Sequence, residues 1–151
     1  MDEFRVPTLA LEAELRYFDE RLLSGQVFIP AHARQHEGPM RAEEWMNQAH
    51  GFFPFVGRGE RRARILNKRY VVVLTLDRET NDEPFGVPRR VVVECGTLRL
   101  EGIIYVEMPD HVSRLLDWVN RPEPFLVVHE GGKRHLIQKN RITVLSEVLE
   151  D

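Results

Sequence analysis

Cysteine is almost missing from this 151-residue sequence: Cys95 stands alone, so neither an intramolecular disulfide nor a cysteine-based zinc cluster can hold the fold. Such usage fits a reducing compartment. Long apolar runs are missing too. None approaches the ~20 residues of a membrane span, and the opening stretch Met1–Pro7 has no apolar signal core. The expectation is a cytoplasmic protein without membrane contact. There is also no large excess of one charge. Twenty-one Lys and Arg against 24 Asp and Glu give a formal charge of −3, which excludes a broadly basic, nucleic-acid-coating surface and leaves room only for a local basic patch. Material for a core is ample. With 42% hydrophobic and 9% aromatic residues, the chain suffices for one ordinary domain or two very small ones sharing a core.

The most informative positive feature is self-similarity. Arg41-Ala-Glu-Glu-Trp45-Met-Asn47 lies over Arg114-Leu-Leu-Asp-Trp118-Val-Asn120, with Arg, Trp and Asn at fixed spacing and an acidic residue before each Trp. Around this anchor, Gly25–Ile29 lies over Gly102–Val106, Phe52 falls on Phe125, and Ile65–Leu74 lies over Leu136–Leu145. Val6-Pro7 is matched to Val87-Pro88. The expected organisation is an internal duplication: a first copy over 1–77, a polar, turn-forming linker over 78–86, and a second copy over 87–151.

Within the second copy, Val91 to Val93 lead through Cys95-Gly96 into Leu98, Leu100, Gly102, Ile104, Val106 and Met108, a period-two pattern of half-buried strand. Gly102, like Gly25, sits where a strand of this length must bend sharply to close a small barrel. The period then changes. Val112, Leu115, Leu116 and Val119 predict a short helix over 111–120 with one face inward and Asp110 as cap. In the first copy the matching helix runs to Asn47, with Pro39 in its first turn. Pro124–His129, a Gly131-Gly132 turn and 135–148 return to strand. Leu11, Leu15, Phe18 and Leu22 would make a good helical stripe, but Leu9, Leu11, Ala13, Leu15 and Tyr17 alternate, and the repeat lays this stretch over Val91–Val93, so strand is predicted for 8–16.

This order of elements, closing on Leu136-Ile137-Gln-Lys139-Asn140-Arg141-Ile142, resembles the small five-stranded Sm-like barrel, whose last motif has a similar apolar-x-x-Asn-x-Ile rhythm. The second copy resembles still more closely an uncharacterised family of small bacterial β-domains, through Gly102-Ile-Ile104, Arg114-Leu-Leu-Asp117-Trp-Val-Asn120, Pro124-Phe125-Leu126 and the closing strand Ile137 to Val144. The resemblance implies a mainly β fold with short helices, two fused Sm-like copies in a pseudo-two-fold unit, and no activity. The helix falls inside the barrel sequence, and Gln138-Lys139 stands where Sm proteins carry the Arg-Gly of their RNA-contacting loop, which weighs against RNA binding by analogy.

Residues that could carry chemistry are sparse. His32 and His36 have i, i+4 spacing, but they fall in a stretch preceding Gly38-Pro39 that reads as an exposed loop with no third ligand, so no metal is expected. No nucleophile motif accompanies His111, His129 or His135, and Gly57-Arg-Gly59 reads as a hairpin turn and not as a phosphate loop. The expectation is a non-catalytic protein without cofactor. Two binding surfaces stand out. In Gly51-Phe52-Phe53-Pro54-Phe55, Phe52 is assigned to the core through its counterpart Phe125. Phe53 and Phe55 are left as anchors for a protein partner on an edge strand, which Pro54 suits. Arg58, Arg61, Arg62, Arg64, Lys68 and Arg69 form a basic cluster that could contact an anion, a nucleotide or nucleic acid. A cyclic-dinucleotide barrel of the PilZ type is disfavoured, because the Asp/Asn-x-Ser-x-x-Gly element is missing. The leading reading is a cytoplasmic adaptor or regulatory protein docking a protein partner through the first copy, with self-association left open. The alternative is a nucleic-acid- or nucleotide-binding module using the basic cluster.

Overall fold

A computed structural model describes residues 7–33, 38, 40–77, 84–108 and 114–149. Its strands are β1 (Thr8–Tyr17), β2 (Leu22–Pro30), β3 (Phe52–Gly57), β4 (Arg64–Asn67), β5 (Val71–Asp77), β6 (Val87–Cys95), β7 (Leu98–Val106), β8 (Phe125–Glu130), β9 (Lys133–Gln138) and β10 (Val144–Glu147). Helix α1 (Ala42–Met46) lies between β2 and β3, and α2 (Leu115–Val119) between β7 and β8. One 3-10 turn, at Lys68–Tyr70 and again at Lys139–Arg141, precedes β5 and β10. The succession strand, strand, helix, strand, strand, 3-10 turn, strand therefore occurs twice.

The strands form one antiparallel sheet in the order β10-β6-β7-β8-β9-β5-β1-β2-β3-β4. The first half contributes the neighbours β5-β1-β2-β3-β4 and the second β10-β6-β7-β8-β9, the same arrangement twice. The halves meet where β5 pairs with β9, from Val73 opposite Ile137 to Asp77 opposite Lys133. The sheet is open. The expectation of two fused small barrels is corrected in closure: the last strand of the first half completes its hydrogen bonding on the second half, so one open sheet runs through both.

Local sequence explains most elements. β1 is a strand despite its helix-forming residues, because it pairs with β2 on one side and β5 on the other, and two long-range ladders outweigh propensity. Its inward side is Ala13, Leu15 and Tyr17. β6 and β7 are joined at Gly96, whose φ of 60° is a conformation that glycine adopts without strain. Gly25 and Gly102 are required by close approach. A Cβ on Gly25 would stand 2.2 Å from the Val56 carbonyl oxygen, and one on Gly102 2.4 Å from that of His129. The pairings Ala13 with Gly25 and Val91 with Gly102 make Ala13 and Val91 counterparts, which matches Leu9, not Val6, to Val87. Val6 itself lies outside the described residues.

Helix α2 spans five residues, with Arg114 as N-cap; 111–113 of the expected 111–120, with Asp110 and, ahead of α1, Pro39, lie outside the described residues. One turn has room for a single inward row, so Leu115 and Trp118 are buried while Leu116 is 62% exposed. Trp45 and Trp118 occupy the same position in their helices and are both buried. The core forms two clusters that trade residues at the junction. Phe125 and Leu136 of the second half pack into the first cluster, and Val72 and Val73 of the first half into the second.

Candidate functional site

β3 alternates strictly, and its phase is opposite to the one expected from Phe125. Phe53 and Phe55 are 1% and 0% exposed, in the first core cluster, whereas Phe52 is 57% exposed. Phe53 packs edge-on against Trp45 at 5.3 Å between ring centres, and α1 covers that side of the strand. Phe53 and Phe55 therefore cannot be surface anchors, a correction to the sequence reading. Nor is β3 an edge strand, since it pairs with both β2 and β4. The edge of the first half is β4, whose outward Ile65 is 66% exposed and lies opposite Pro54. Phe52, Pro54 and Ile65 thus make an exposed apolar strip beside a strand with an unpaired side, an arrangement that invites strand addition.

The basic cluster does not come together as one surface. Arg58, Arg61 and Arg62 are exposed around the β3–β4 turn, while Arg69 is exposed at the other end of β4. Arg64 donates two hydrogen bonds to the Glu60 carboxylate, which pulls the Glu60 pKa down and raises that of Arg64. Lys68 is not a surface group. It is 6% exposed, its Nζ donates to the carbonyls of Trp45 at 3.1 Å and Gln48 at 3.3 Å, and burial pushes its pKa down to about 8. Lys139 repeats the arrangement, donating to the Arg121 carbonyl at 2.8 Å. Each lysine thus satisfies carbonyls at the C-terminal end of the helix in its own half, a structural duty.

The junction between the halves, which no sequence motif singled out, is the best-built polar region. Asn47 Oδ1 accepts the Phe125 N–H at 2.8 Å. Arg134, buried within β9, donates to Glu43 at 3.4 Å, and Thr75 and His135 share a hydrogen bond of 2.8 Å across the β5–β9 pair. Gln138 Nε2 donates to the Lys68 and Val71 carbonyls at 2.7 and 2.9 Å. Asn47 was visible in the repeat beside Trp45, the one signal that could have pointed here. A cleft of about 220 Å³ lies along the junction, with Glu43, Phe85, Tyr105, Trp118 and Phe125 among its walls.

Burial pushes the Cys95 thiol pKa up, which disfavours a nucleophilic thiolate. Among the described residues no group of three His, Cys, Asp or Glu is placed to hold a metal. His32 is exposed, and His36 and His111 lie outside the described residues. No helix among the described residues is long and apolar enough to cross a membrane. Comparison with protein-family models, with curated proteins and with solved structures gives no match.

Proposed function

We propose that the chain is a tandem of two Sm-like units that works as a non-catalytic cytoplasmic adaptor or regulatory protein, accepting a partner strand at the open edge of β4. The observation that carries this reading is the contrast between equivalent edges. β9 is covered by β5, while β4, at the same place in its half, ends the sheet beside exposed Phe52 and Ile65. The anchors of the reading are accordingly Phe52 and Ile65, in place of Phe53 and Phe55. The doubled element order and strand order support duplication and the Sm-like arrangement. The nucleic-acid reading has less support, because Arg64 is engaged by Glu60 and Lys68 is inside.

The test is affinity capture from host lysate with wild type, with Phe52→Ser/Ile65→Lys, and with Arg58→Glu/Arg61→Glu, all checked by circular dichroism. The apolar variant should lose the captured protein and the charge variant should keep it, since exposed charges contribute little to a strand-addition contact. Capture that survives in the apolar variant, or a bound species that is nucleic acid and leaves steeply with salt, would reject the reading.

A further inference from the structure

A second cleft, of about 190 Å³, opens where the β1–β2 hairpin of the first half meets the β6–β7 hairpin of the second. The turns of the two hairpins are tied by a hydrogen bond of 3.1 Å from Thr97 Oγ1 to the Glu20 carboxylate. Strand register lays out the floor in two rows, because residues paired across a sheet share a face. Leu22, Arg16 and Val73 make one row, and Ser24, Glu14, Thr75 and His135 the next. Leu98 and Leu100 of β7, packed against the second core cluster, complete the walls.

Arg16 and Glu14 thus stand on one face of β1, two residues apart, with Cα atoms about 7 Å from each other. Among the described residues neither side chain has a hydrogen bond or an ion pair. Their neighbours are already engaged: Lys133 is held by Asp77 at 2.9 Å, and Thr75 and His135 bond to each other at 2.8 Å. A cation and a carboxylate left open side by side under a leucine-lined wall are the complement of an α-amino acid, in which one carbon carries a carboxylate, an ammonium and a side chain. Size narrows the occupant further, since about 190 Å³ falls below the ~300–1,000 Å³ of sites for larger organic ligands. Leu22 is 67% exposed, so the wall has apolar area to spare.

We propose that this cleft binds a free α-amino acid with an aliphatic side chain, its carboxylate on Arg16, its ammonium on Glu14 and its side chain against Leu22, Leu98 and Leu100. Each charge of the ligand meets one of opposite sign, and charge-assisted hydrogen bonds of this kind are the strong ones. The Thr75–His135 floor is satisfied within itself and the wall is apolar, so a charged side chain such as that of aspartate finds no partner there. The site is separate from the β4 edge and does not rest on strand addition; it gives the regulatory reading a small-molecule signal.

The experiment is isothermal titration of the whole chain with L-leucine, with saturation-transfer NMR to report which ligand protons touch the protein. Wild type should bind saturably, with the strongest transfer to the leucine methyl groups. Arg16→Gln and Glu14→Gln, both checked by circular dichroism, should each weaken binding about tenfold. N-acetyl-leucine lacks the ammonium and leucinamide the carboxylate, and wild type should bind each about tenfold more weakly than leucine. The matched pairs assign the contacts: Glu14→Gln should not weaken N-acetyl-leucine further, nor Arg16→Gln leucinamide. Phe52→Ser/Ile65→Lys should bind leucine as wild type does, which keeps this test apart from that of the β4 edge. No saturable binding of leucine up to its solubility limit, binding that neither Gln substitution weakens, or aspartate bound as tightly as leucine overturns the proposal.

Discussion

Lys68 shows how a residue that reads as a surface charge becomes a structural part. Its ammonium is held under α1 by two carbonyls and lies 5.8 Å from the centre of the Trp45 ring. With a folded pKa of about 8 against an ordinary 10.5, the unfolded chain holds more protons between those values. The contribution of Lys68 to stability must therefore rise as pH rises through this window, and below it burial of the charge is a constant cost. Cys95 and Tyr17, whose pKa values burial raises, act in the opposite direction, so the test is a difference. The unfolding free energy of wild type minus that of Lys68→Met should increase from about pH 8 to about pH 10.5. A flat difference in denaturant titrations would contradict the buried position. At Gly25 the prediction is steric. Gly25→Ala should cost about 1–3 kcal/mol, because its Cβ would collide with the Val56 carbonyl. Gly51→Ala, with open space around it, should change stability by less than about 0.5 kcal/mol.

At the scale of elements, β3 is where sequence and structure part. Its alternation was legible in the sequence, but its phase was not, because phase is decided by which side α1 closes. Phe125 is covered by the other half of the molecule while its counterpart Phe52 has no such cover, so equivalence in sequence did not mean equal burial. The face assignment has a direct check. Phe53→Ala and Phe55→Ala should each cost ~3–5 kcal/mol, whereas Phe52→Ser should stay within about 0.5 kcal/mol for the monomer. Similar losses at all three positions in thermal or urea unfolding would reject it. Trp118→Ala belongs with the costly group and should leave little folded protein, since its ring is buried beneath α2. The other strands were legible for plain reasons: period-two patterns at Leu98–Val106, Gly at tight turns, and Trp, Asn and Lys recurring at fixed spacing. The junction was not legible. Asn47, Glu43 and Arg134 are far apart in sequence, and nothing local marks Arg134 as inside.

For the whole molecule, the account rests on one contrast: the β9 edge is covered by β5 within the chain, whereas β4, at the same place in its half, ends the sheet. The covered edge combines main-chain pairing, the Arg134–Glu43 ion pair and a side-chain-to-backbone hydrogen bond. An unpaired edge flanked by Ile65 and Phe52 is a liability in solution unless something covers it. The most direct measurement is hydrogen exchange of backbone amides, resolved by strand, with and without the captured protein. Amides of β5 and β9 should be protected in both states, because their pairing lies within one chain. Outward amides of β4 should exchange fast in the free chain and slow once the partner is bound. Exchange at β4 that the bound partner leaves unchanged would contradict strand addition at this edge.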